Sequence, residues 1–299
     1  MLKKPLPLFL NPAAGRGRGR KNAAAIRRLL TQRGIATTLC ESNAAGDMEE
    51  QVFAHASTTN GPILIAGGDG SVNEAINGIL RTSSQTPIGL IPIGTGNDFA
   101  KSCHIPLDWK KAIELLAKRI TNSTPPKLVD AGRVNDKFFA NGVGIGFDAK
   151  INRLASKIRW PIGDLVYLVA VFQGLWEGVL TSSVRITYDV NTYVGPITLA
   201  NVSNGSWVGG MFYIAPLAET NDGKFDLVLA APMTRMRVLA LLPKLIKGTH
   251  MDDPDITYKR IESFELIAEK PLPSHLDGEI QPLQTEFRVR VLRNALAVF

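Results

Sequence analysis

The sequence predicts an α/β domain followed by a β-rich domain, and two observations carry this prediction. Up to residue 126, strand-like and helix-like segments alternate, which is typical of an open, mostly parallel sheet. From residue 127 on, strand-like segments predominate, with helical segments at 160–180 and 234–247. A polar segment that ends in Pro125-Pro126 marks the boundary between the two regions.

The elements of the first domain follow from hydrophobic spacing and turn residues. LPLFLNP predicts a strand that ends in a turn, and RKNAAAIRRLLTQRG predicts a helix that Gly34 closes. IATTLCES then predicts a strand, and DMEEQVFAHAST predicts a helix. The apolar segments GPILIAGG and PIGLIPIG predict strands that are buried on both faces, and SVNEAINGIL and LDWKKAIELLAKRI predict the helices that follow them.

The second domain is predicted from the strand-like segments VDAGRVN, KFFANGVGIG, VRITYDV, PITLANVSN, FDLVLAAP and FELIAE. The apolar segment 160–180, which contains Trp160 and Trp176, has two interpretations. We favour a core helix over a surface that docks on an anionic membrane. Asp164 and Glu177 interrupt the segment, whereas a membrane span needs about 20 mostly apolar residues.

The composition narrows the class of function. An apolar fraction of 45% suffices for a globular core, and the net charge of +7 favours an acidic partner such as a nucleotide or an anionic membrane surface. We expect no nucleic-acid partner, because the basic residues are scattered and no RNA-recognition signature occurs. The two cysteines, Cys40 and Cys103, form no CxxC pair, which favours a reduced cytosolic compartment. The four histidines lack metal-ligand spacing, so we expect no zinc site.

A first glycine turn, residues 67–71, follows a predicted buried strand and opens a predicted helix. Bare backbone amides at a helix N-terminus bind phosphate, although the pattern is neither a P-loop nor a dinucleotide fingerprint. Ser71 is the predicted N-cap, with Glu74 completing a capping box. Asp69 would repel a phosphate directly, so we expect it to act through Mg²⁺ and its waters. The alternative is a well-capped turn that binds no ligand.

Two further loops should lie at the same edge of the sheet, because the carboxyl ends of parallel strands meet there. The second glycine turn, residues 94–98, ends in Asn97 and Asp98, and it can also be interpreted as an Asx-type cap. The loop 11–19 alternates glycines with arginines. It predicts either a mobile basic loop over phosphates or near a bilayer, or a solvated loop without function.

Two acidic turns occur in the second domain. Asp277 and Glu279 flank Gly278 in SHLDGEIQ, and Asp222-Gly223 in ETNDGKF predicts a hairpin turn between strands. Taken alone, each is interpreted as an ordinary turn.

Taken together, these segments resemble the diacylglycerol kinase catalytic family, in particular its soluble bacterial lipid kinases. The segments that match are NPAAGRGRG, GGDGSVNEAINGI, IPIGTGNDFA, GGMFYIAPLAETNDGKFDL and HLDGE. They occur in family order and cover essentially the whole chain. The first glycine turn is shared with sphingoid and NAD kinases, whereas GTGNDFA with a late LDGE is more specific to lipid kinases.

The resemblance implies a phosphofructokinase-like α/β domain over residues 1–126 and a C-terminal β-sandwich over 127–284, with 285–299 returning to the first domain. It implies ATP as co-substrate, Mg²⁺, and phosphorylation of a lipid hydroxyl, with diacylglycerol converted to phosphatidic acid. Monoacylglycerol, sphingoid bases, phosphatidylglycerol and polyprenols stay open as acceptors. An NAD-kinase-like enzyme and a non-catalytic regulator that binds a nucleotide or lipid stay open as functions.

The resemblance also implies a cytoplasmic enzyme that meets its lipid transiently at the inner face of the membrane, by peripheral rather than integral contact. A homodimer and a monomer both stay open. Glu279 is implied as the proton acceptor, with Asp277 and Asp69 as further catalytic residues. The structural Mg²⁺ site would use Glu219, Asp222 and Lys224, and the catalytic Mg²⁺ would be organised through water by Asp69, Asp98 and Asp130.

Nucleotide contacts are implied for residues of the two glycine turns, the first loop and the second strand. At the end of that strand, Cys40 or Glu41 stands where relatives have a threonine. Ser71 replaces the usual threonine of the first glycine turn and keeps its hydroxyl. The full set is Asn11, Cys40, Gly68, Asp69, Gly70, Ser71, Val72, Asn73, Glu74, Thr95 and Asn97.

Overall fold

The computed structural model describes residues 4–82, 84–158, 163 and 165–299 of the 299-residue chain. The chain divides into two compact units, Met1–Asp130 with Arg293–Phe299, and Ala131–Leu292. The first unit is α/β and the second is rich in strands, as the sequence predicts.

The first unit is built on a parallel sheet with the strand order β4-β3-β1-β2. Residues 297–298 extend this sheet, because Ala297 and Val298 pair in parallel with Pro87 and Ile88. Buried aliphatic side chains of the strands pack against α1 and α5. In order, the elements are β1 (Leu6–Leu10), α1 (Ala14–Gln32), β2 (Thr37–Glu41), α2 (Asp47–Ala56), β3 (Ile63–Gly67), α3 (Asp69–Leu80), β4 (Pro87–Pro92), α4 (Asp98–Ser102) and α5 (Trp109–Thr121).

The predicted basic loop 11–19 differs from the structure, where α1 already begins at Ala14. The first turn of α1 is not regular helix, because Gly15, Arg16 and Gly17 have left-handed backbone angles. Arg18 explains why this segment is ordered: its guanidinium donates to the carbonyl oxygens of Gly15 at 3.2 Å and Gly94 at 2.7 Å. The basic segment is therefore tied to the end of β4.

The second unit is antiparallel, with the strand order β12-β11-β10-β7-β13-β14 and a β8–β9 hairpin that pairs with β13. Its core includes Phe139, Phe225 and Phe287. β5 and β14 contribute residues to both units. The elements are β5 (Lys127–Val134), β6 (Lys137–Phe139), β7 (Gly142–Gly146), α6 (Phe147–Ala155), α7 (Leu165–Glu177), β8 (Ser182–Tyr188), β9 (Asn191–Ile197), β10 (Leu199–Ser203), β11 (Phe225–Ala230), α8 (Arg235–Lys247), β12 (Ile256–Ile261), β13 (Ser263–Leu276) and β14 (Glu279–Val298).

The predicted core helix at 160–180 corresponds to α7, while Trp160 and Asp164 lie outside the described residues. One face of α7, which includes Ala170 and Leu175, is buried in a cluster with α6 and α8. The core interpretation accounts for that face only. The opposite face exposes four large apolar side chains, with Trp176 84% exposed: Leu165, Val169, Phe172 and Trp176. Within the described part of the chain, no helix is long and apolar enough to span a membrane.

Candidate functional site

The two glycine turns of the first unit touch each other. A Cβ atom on Gly68 would lie 2.9 Å from the Cα atom of Gly94, and a Cβ on Gly94 would lie 2.4 Å from the Cα of Gly68. Both contacts are too short for any side chain, so this approach requires glycine at both positions. The amide of Ile93 also donates to the carbonyl oxygen of Gly67 at 2.8 Å. The structure thus brings together the predicted turns at the carboxyl ends of β3 and β4.

The predicted capping box at Ser71 and Glu74 is wrong. Helix α3 begins at Asp69 with Gly68 as its N-cap, so Ser71 lies inside the first turn and is buried. The Ser71 hydroxyl instead accepts a hydrogen bond from the Asn11 side-chain amide at 3.0 Å. Glu74 accepts from the backbone amide of Met48 in α2 at 3.2 Å. These contacts, with the residue after β1 and with α2, occupy the side chains that the local pattern would use for capping.

Asp69 has a definite role in the geometry of the two turns. Its Oδ1 accepts from the backbone amide of Phe99, in the first turn of α4, at 3.2 Å. A carboxylate at this place also complements the partial positive charge at a helix N-terminus. The acid in the first glycine turn therefore links that turn to the helix that follows the second one.

Other predicted nucleotide residues surround this link. Gly68, Asp69, Val72 and Asn97 line one small cavity with the ends of β3 and β4. Gly70 and Asn73 are half-buried in the opening turns of α3. Thr95 is exposed at the tip of the second glycine turn, where an incoming ligand could reach its hydroxyl.

The second glycine turn is braced from within. Asn97 adopts a left-handed backbone and donates from its side-chain amide to the carbonyl oxygen of Gly94 at 2.9 Å. Asp98 is buried, and its carboxylate lies 3.3 Å from the ammonium group of Lys101. The Asn97 bond and the Asp98–Lys101 pair thus stabilise the turn from within the protein.

Asp130 is 1% exposed, and its Oδ1 accepts from the backbone amide of Asn294 at 2.7 Å. Asp69, Asp98 and Asp130 thus each have a partner of their own. Among the described residues, no group of three or more His, Cys, Asp or Glu side chains is arranged to hold a metal ion. A role of these three acids through water stays a prediction.

Cys40 lies in β2 and lines a groove with two polar side chains that the sequence did not single out. These are Gln51 and His55, which are four residues apart in α2 and therefore on the same face of that helix. Burial raises the pKa of the Cys40 thiol and lowers that of His55, so both groups are neutral near pH 7. The groove is completed by Pro7, Phe9 and Thr38.

In the second unit, the acid turn (residues 276–279, LDGE) is held by the carboxylate of Asp277. This carboxylate accepts from the backbone amides of Ala140, Asn141 and Gly142, each at 2.8 Å. Asp277 therefore fixes the turn in place. Glu279, the first residue of β14, is exposed. Of the two acids, Glu279 is the one that can meet a substrate.

Asp222 lies in the turn before β11, but this turn does not join a hairpin, because β11 pairs with β10 and β12. Its Oδ1 accepts from the amide of Lys224 at 2.9 Å, and its Oδ2 is buried and contacts the guanidinium of Arg260. The negative charge of Glu219 adds to the effect of burial in raising the pKa of Asp226 in β11. A buried carboxylate oxygen is a ligand that suits a hard cation, and the guanidinium of Arg260 contacts this same oxygen.

Comparison with known proteins agrees with the two-unit architecture. A family model described as the diacylglycerol kinase catalytic domain matches residues 5–126, and one described as the YegS C-terminal NAD kinase beta sandwich-like domain matches residues 141–299. The predicted fold class, an α/β domain plus a C-terminal β-sandwich, is thereby confirmed.

Relatives of similar length align along most of this chain. The chain is 29% identical over 274 residues to a diacylglycerol kinase of Bacillus subtilis (strain 168), which covers 91% of this chain and 88% of the relative. It is 29% identical over 262 residues to a diacylglycerol kinase of Mycobacterium tuberculosis (strain ATCC 25618 / H37Rv), which covers 86% and 82%. The crystal structure of a diacylglycerol kinase from Bacillus anthracis str. Sterne has the same fold, with a TM-score of 0.75, 24% identity and coverage of 98% and 96%.

Proposed function

Because this chain belongs to the diacylglycerol kinase catalytic family, we propose that it is a lipid kinase that transfers the γ-phosphoryl group of ATP to diacylglycerol, yielding phosphatidic acid and ADP. One observation carries the proposal: the two glycine turns touch at Gly68 and Gly94, where no side chain fits, and they open the helices α3 and α4. Backbone amides at helix N-termini favour phosphate groups.

In this proposal the first unit, residues 1–130 with 293–299, forms the nucleotide domain, and the second unit, residues 131–292, forms the lipid domain. The segment that returns to the first unit is therefore shorter than the predicted 285–299. The phosphates lie over the glycine turns, where Thr95 is exposed for contact. The hydrogen bond from Asn11 to Ser71 holds the loop after β1 beside α3, which supports a role for both residues in shaping the phosphate site. Cys40 contributes a neutral, partly buried surface for the less polar part of the nucleotide. The other residues of the proposed nucleotide site are Gly68, Asp69, Gly70, Val72, Asn73, Glu74 and Asn97.

Glu279 is the proposed general base. Its exposed carboxylate accepts the proton of the lipid hydroxyl while the hydroxyl oxygen bonds to the γ-phosphorus and the bond to the ADP oxygen breaks. Phosphoryl transfer depends mainly on positioning and charge neutralisation, and a positioned base typically contributes about 10²–10⁴-fold. Asp277 keeps the acid turn rigid through its three amide bonds, so it acts on the geometry of the base.

Mg²⁺ is part of the proposal at two places. Asp69, Asp98 and Asp130 would hold it through water near the phosphates, where the ion neutralises the charge of the transferring group. Asp222, with the backbone carbonyl oxygens of Glu219 and Lys224, would hold a structural ion. The buried Oδ2 of Asp222 supports that site.

We further propose that the protein is cytoplasmic and meets its lipid by peripheral contact with the membrane. The exposed apolar face of α7 supports this, because aromatic and aliphatic side chains on one face of a helix can enter the interface of a bilayer. Arg235, whose guanidinium donates to the carbonyl oxygen of Trp176 at 3.2 Å, places a positive charge at the end of that face. No nucleic-acid partner is proposed. Sedimentation would decide between the monomer and the homodimer.

A lipid-panel assay tests the function. Purified protein is given ATP, Mg²⁺ and micelles of one acceptor at a time, and the products are read by mass. Diacylglycerol should be the best acceptor. Faster turnover of monoacylglycerol, a sphingoid base, phosphatidylglycerol or a polyprenol would show that this lipid, and not diacylglycerol, is the preferred acceptor. Phosphate on NAD would show an NAD kinase, and binding without turnover would show a regulator.

Two variants test the roles of the acids. Glu279→Gln should lose at least about 10²-fold in kcat while its melting temperature stays unchanged. Asp69→Asn keeps an oxygen for the amide of Phe99 and should also be inactive. The matched controls remove exposed carboxylates: Glu286→Gln on the same strand as Glu279, and Asp136→Asn, whose side chain is 97% exposed. Near-normal turnover by either test variant contradicts the role assigned to that residue.

A further inference from the structure

A buried histidine–carboxylate pair lies beneath the acid turn. His275, near the end of β13, is 3% exposed, and its Nε2 atom lies 3.6 Å from Oδ2 of Asp148, the second residue of α6. Neither residue was singled out from the sequence. Both belong to the second unit, and His275 is three residues before Gly278, the centre of the acid turn.

The hydrogen bonds define which nitrogen of His275 carries the hydrogen. The backbone amide of Gly278 points at Nδ1 of His275, at 3.3 Å, so Nδ1 must accept. The hydrogen then resides on Nε2, which faces the carboxylate of Asp148.

Asp148 keeps the ring in this orientation. Its Oδ1 accepts from the amide of Ala149 at 2.7 Å, whereas its Oδ2 is buried and has no hydrogen-bond partner among the described residues. A buried carboxylate oxygen without a donor is costly, and the polar N–H group at Nε2 of His275, 3.6 Å away, lessens that cost electrostatically. Turning the ring over would remove this hydrogen and the bond to Gly278 together.

The strand next to β13 leaves room for the pair. Gly144 in β7 lies directly across from His275 in the antiparallel ladder. A Cβ atom at Gly144 would lie 2.1 Å from Oδ2 of Asp148 and 2.3 Å from Nε2 of His275. Only glycine at this position allows the ring and the carboxylate to approach each other, so β7, β13 and α6 together build the arrangement.

We propose that Asp148 and His275 are positioning residues that hold the backbone of the acid turn and so fix the direction in which Glu279 projects. Both backbone polar groups of Gly278 are hydrogen-bonded: Nδ1 of His275 accepts from its N–H, and the Asn152 side-chain amide donates to its carbonyl oxygen. Both contacts come from the β13–α6 side, and Asp277 anchors the turn to residues 140–142. The consequence for catalysis rests on the proposed function, with Glu279 as base.

The test uses two amide substitutions, each of which places a polar atom near one nitrogen of the His275 ring. In His275→Asn the side-chain oxygen lies near the position of Nδ1 and can still accept the hydrogen bond from the Gly278 amide. In His275→Gln the side-chain amide extends to the position of Nε2 and cannot accept that bond. We expect kcat to fall at least tenfold in His275→Gln and in His275→Ala, and markedly less in His275→Asn. The KM for ATP should stay within about twofold in all three. Equal activity of the Asn and Gln variants, or losses that only follow the melting temperature, would overturn the proposal.

Ring spectroscopy provides a readout that does not depend on turnover. The chain has four histidines, and His275→Asn identifies the signal of this one in two-bond ¹H–¹⁵N spectra. Wild type should show the Nε2–H tautomer, and Asp148→Ala should mix the tautomers and speed hydrogen exchange at the Gly278 amide. An Nδ1–H tautomer in wild type overturns the proposal. If wild type phosphorylates no lipid, the proposed function fails, and the ring spectrum still decides how the turn is held.

Discussion

Replacing Asp226 by asparagine should make the protein more stable at neutral pH. Asp226 lies in β11 and is 2% exposed, and its Oδ1 accepts from the hydroxyl of Tyr258 at 2.7 Å. Burial raises the pKa of Asp226 to about 6 from 3.8. The Tyr258 bond opposes this shift, and the charge of Glu219 adds to it. Asparagine has the same shape, keeps an oxygen for Tyr258 and carries no charge to bury.

The direction follows from proton uptake. Between about pH 4 and pH 6 the folded protein still holds the proton of Asp226, while the unfolded chain has released it. The folded state then binds more protons, so the free energy of unfolding falls as the pH rises. A shift of this size, at 1.36 kcal/mol per pKa unit, corresponds to a loss of about 3 kcal/mol at pH 7.5 and about 1 kcal/mol at pH 4.5. Asp226→Asn should remove that loss.

Urea unfolding measures the effect, with EDTA present so that no cation interacts with the neighbouring Asp222. Tryptophan fluorescence follows the transition, and an unchanged slope with urea concentration shows that the surface exposed on unfolding is the same. Asp136→Asn serves as the control and should leave the free energy of unfolding unchanged, because the Asp136 side chain is 97% exposed. If Asp226→Asn is less stable than wild type at pH 7.5, burial of the charged Asp226 is not what destabilises the protein. An equal gain in the free energy of unfolding at pH 4.5 and pH 7.5 would refute that cause as well.

Three further outcomes are expected. Gly94→Ala should lower the free energy of unfolding by about 1–3 kcal/mol in urea titrations, because its Cβ would lie 2.4 Å from the Cα of Gly68; wild-type stability would contradict the close approach. Asp277→Asn leaves one acceptor oxygen for three amides and should lower the melting temperature, at about 1–3 kcal/mol for each buried amide left unsatisfied. Arg260→Gln frees Oδ2 of Asp222, so Mg²⁺ should raise the melting temperature more than in wild type, and an equal shift would count against competition for that oxygen.

The fold class could be predicted because its signals are local. Strands β3 and β4 are runs of buried apolar residues, and glycines mark where each strand turns into a helix. Hydrophobic spacing predicts such elements without knowledge of their neighbours. Hydrophobic spacing predicted only one face of α7, since it shows that a helix is apolar and does not show how much of its surface a neighbouring element covers.

Contacts between distant elements explain what could not be predicted. Ser71 and Glu74 have the spacing of a capping box, but Asn11 and Met48 from other elements take their side chains. The pairing of Asp148 with His275 depends on the register of β7 against β13, which no local pattern encodes.

The pairing of Ala297 and Val298 with β4 has a consequence for how the protein is made. Pro87 and Ile88 leave the ribosome long before their partners do, because the entire second unit is translated in between. During that interval the edge of β4 presents unsatisfied N–H and C=O groups, which can pair with other nascent chains. The first unit therefore completes its sheet only after translation has passed residue 298, and slow synthesis lengthens the time during which this edge needs protection.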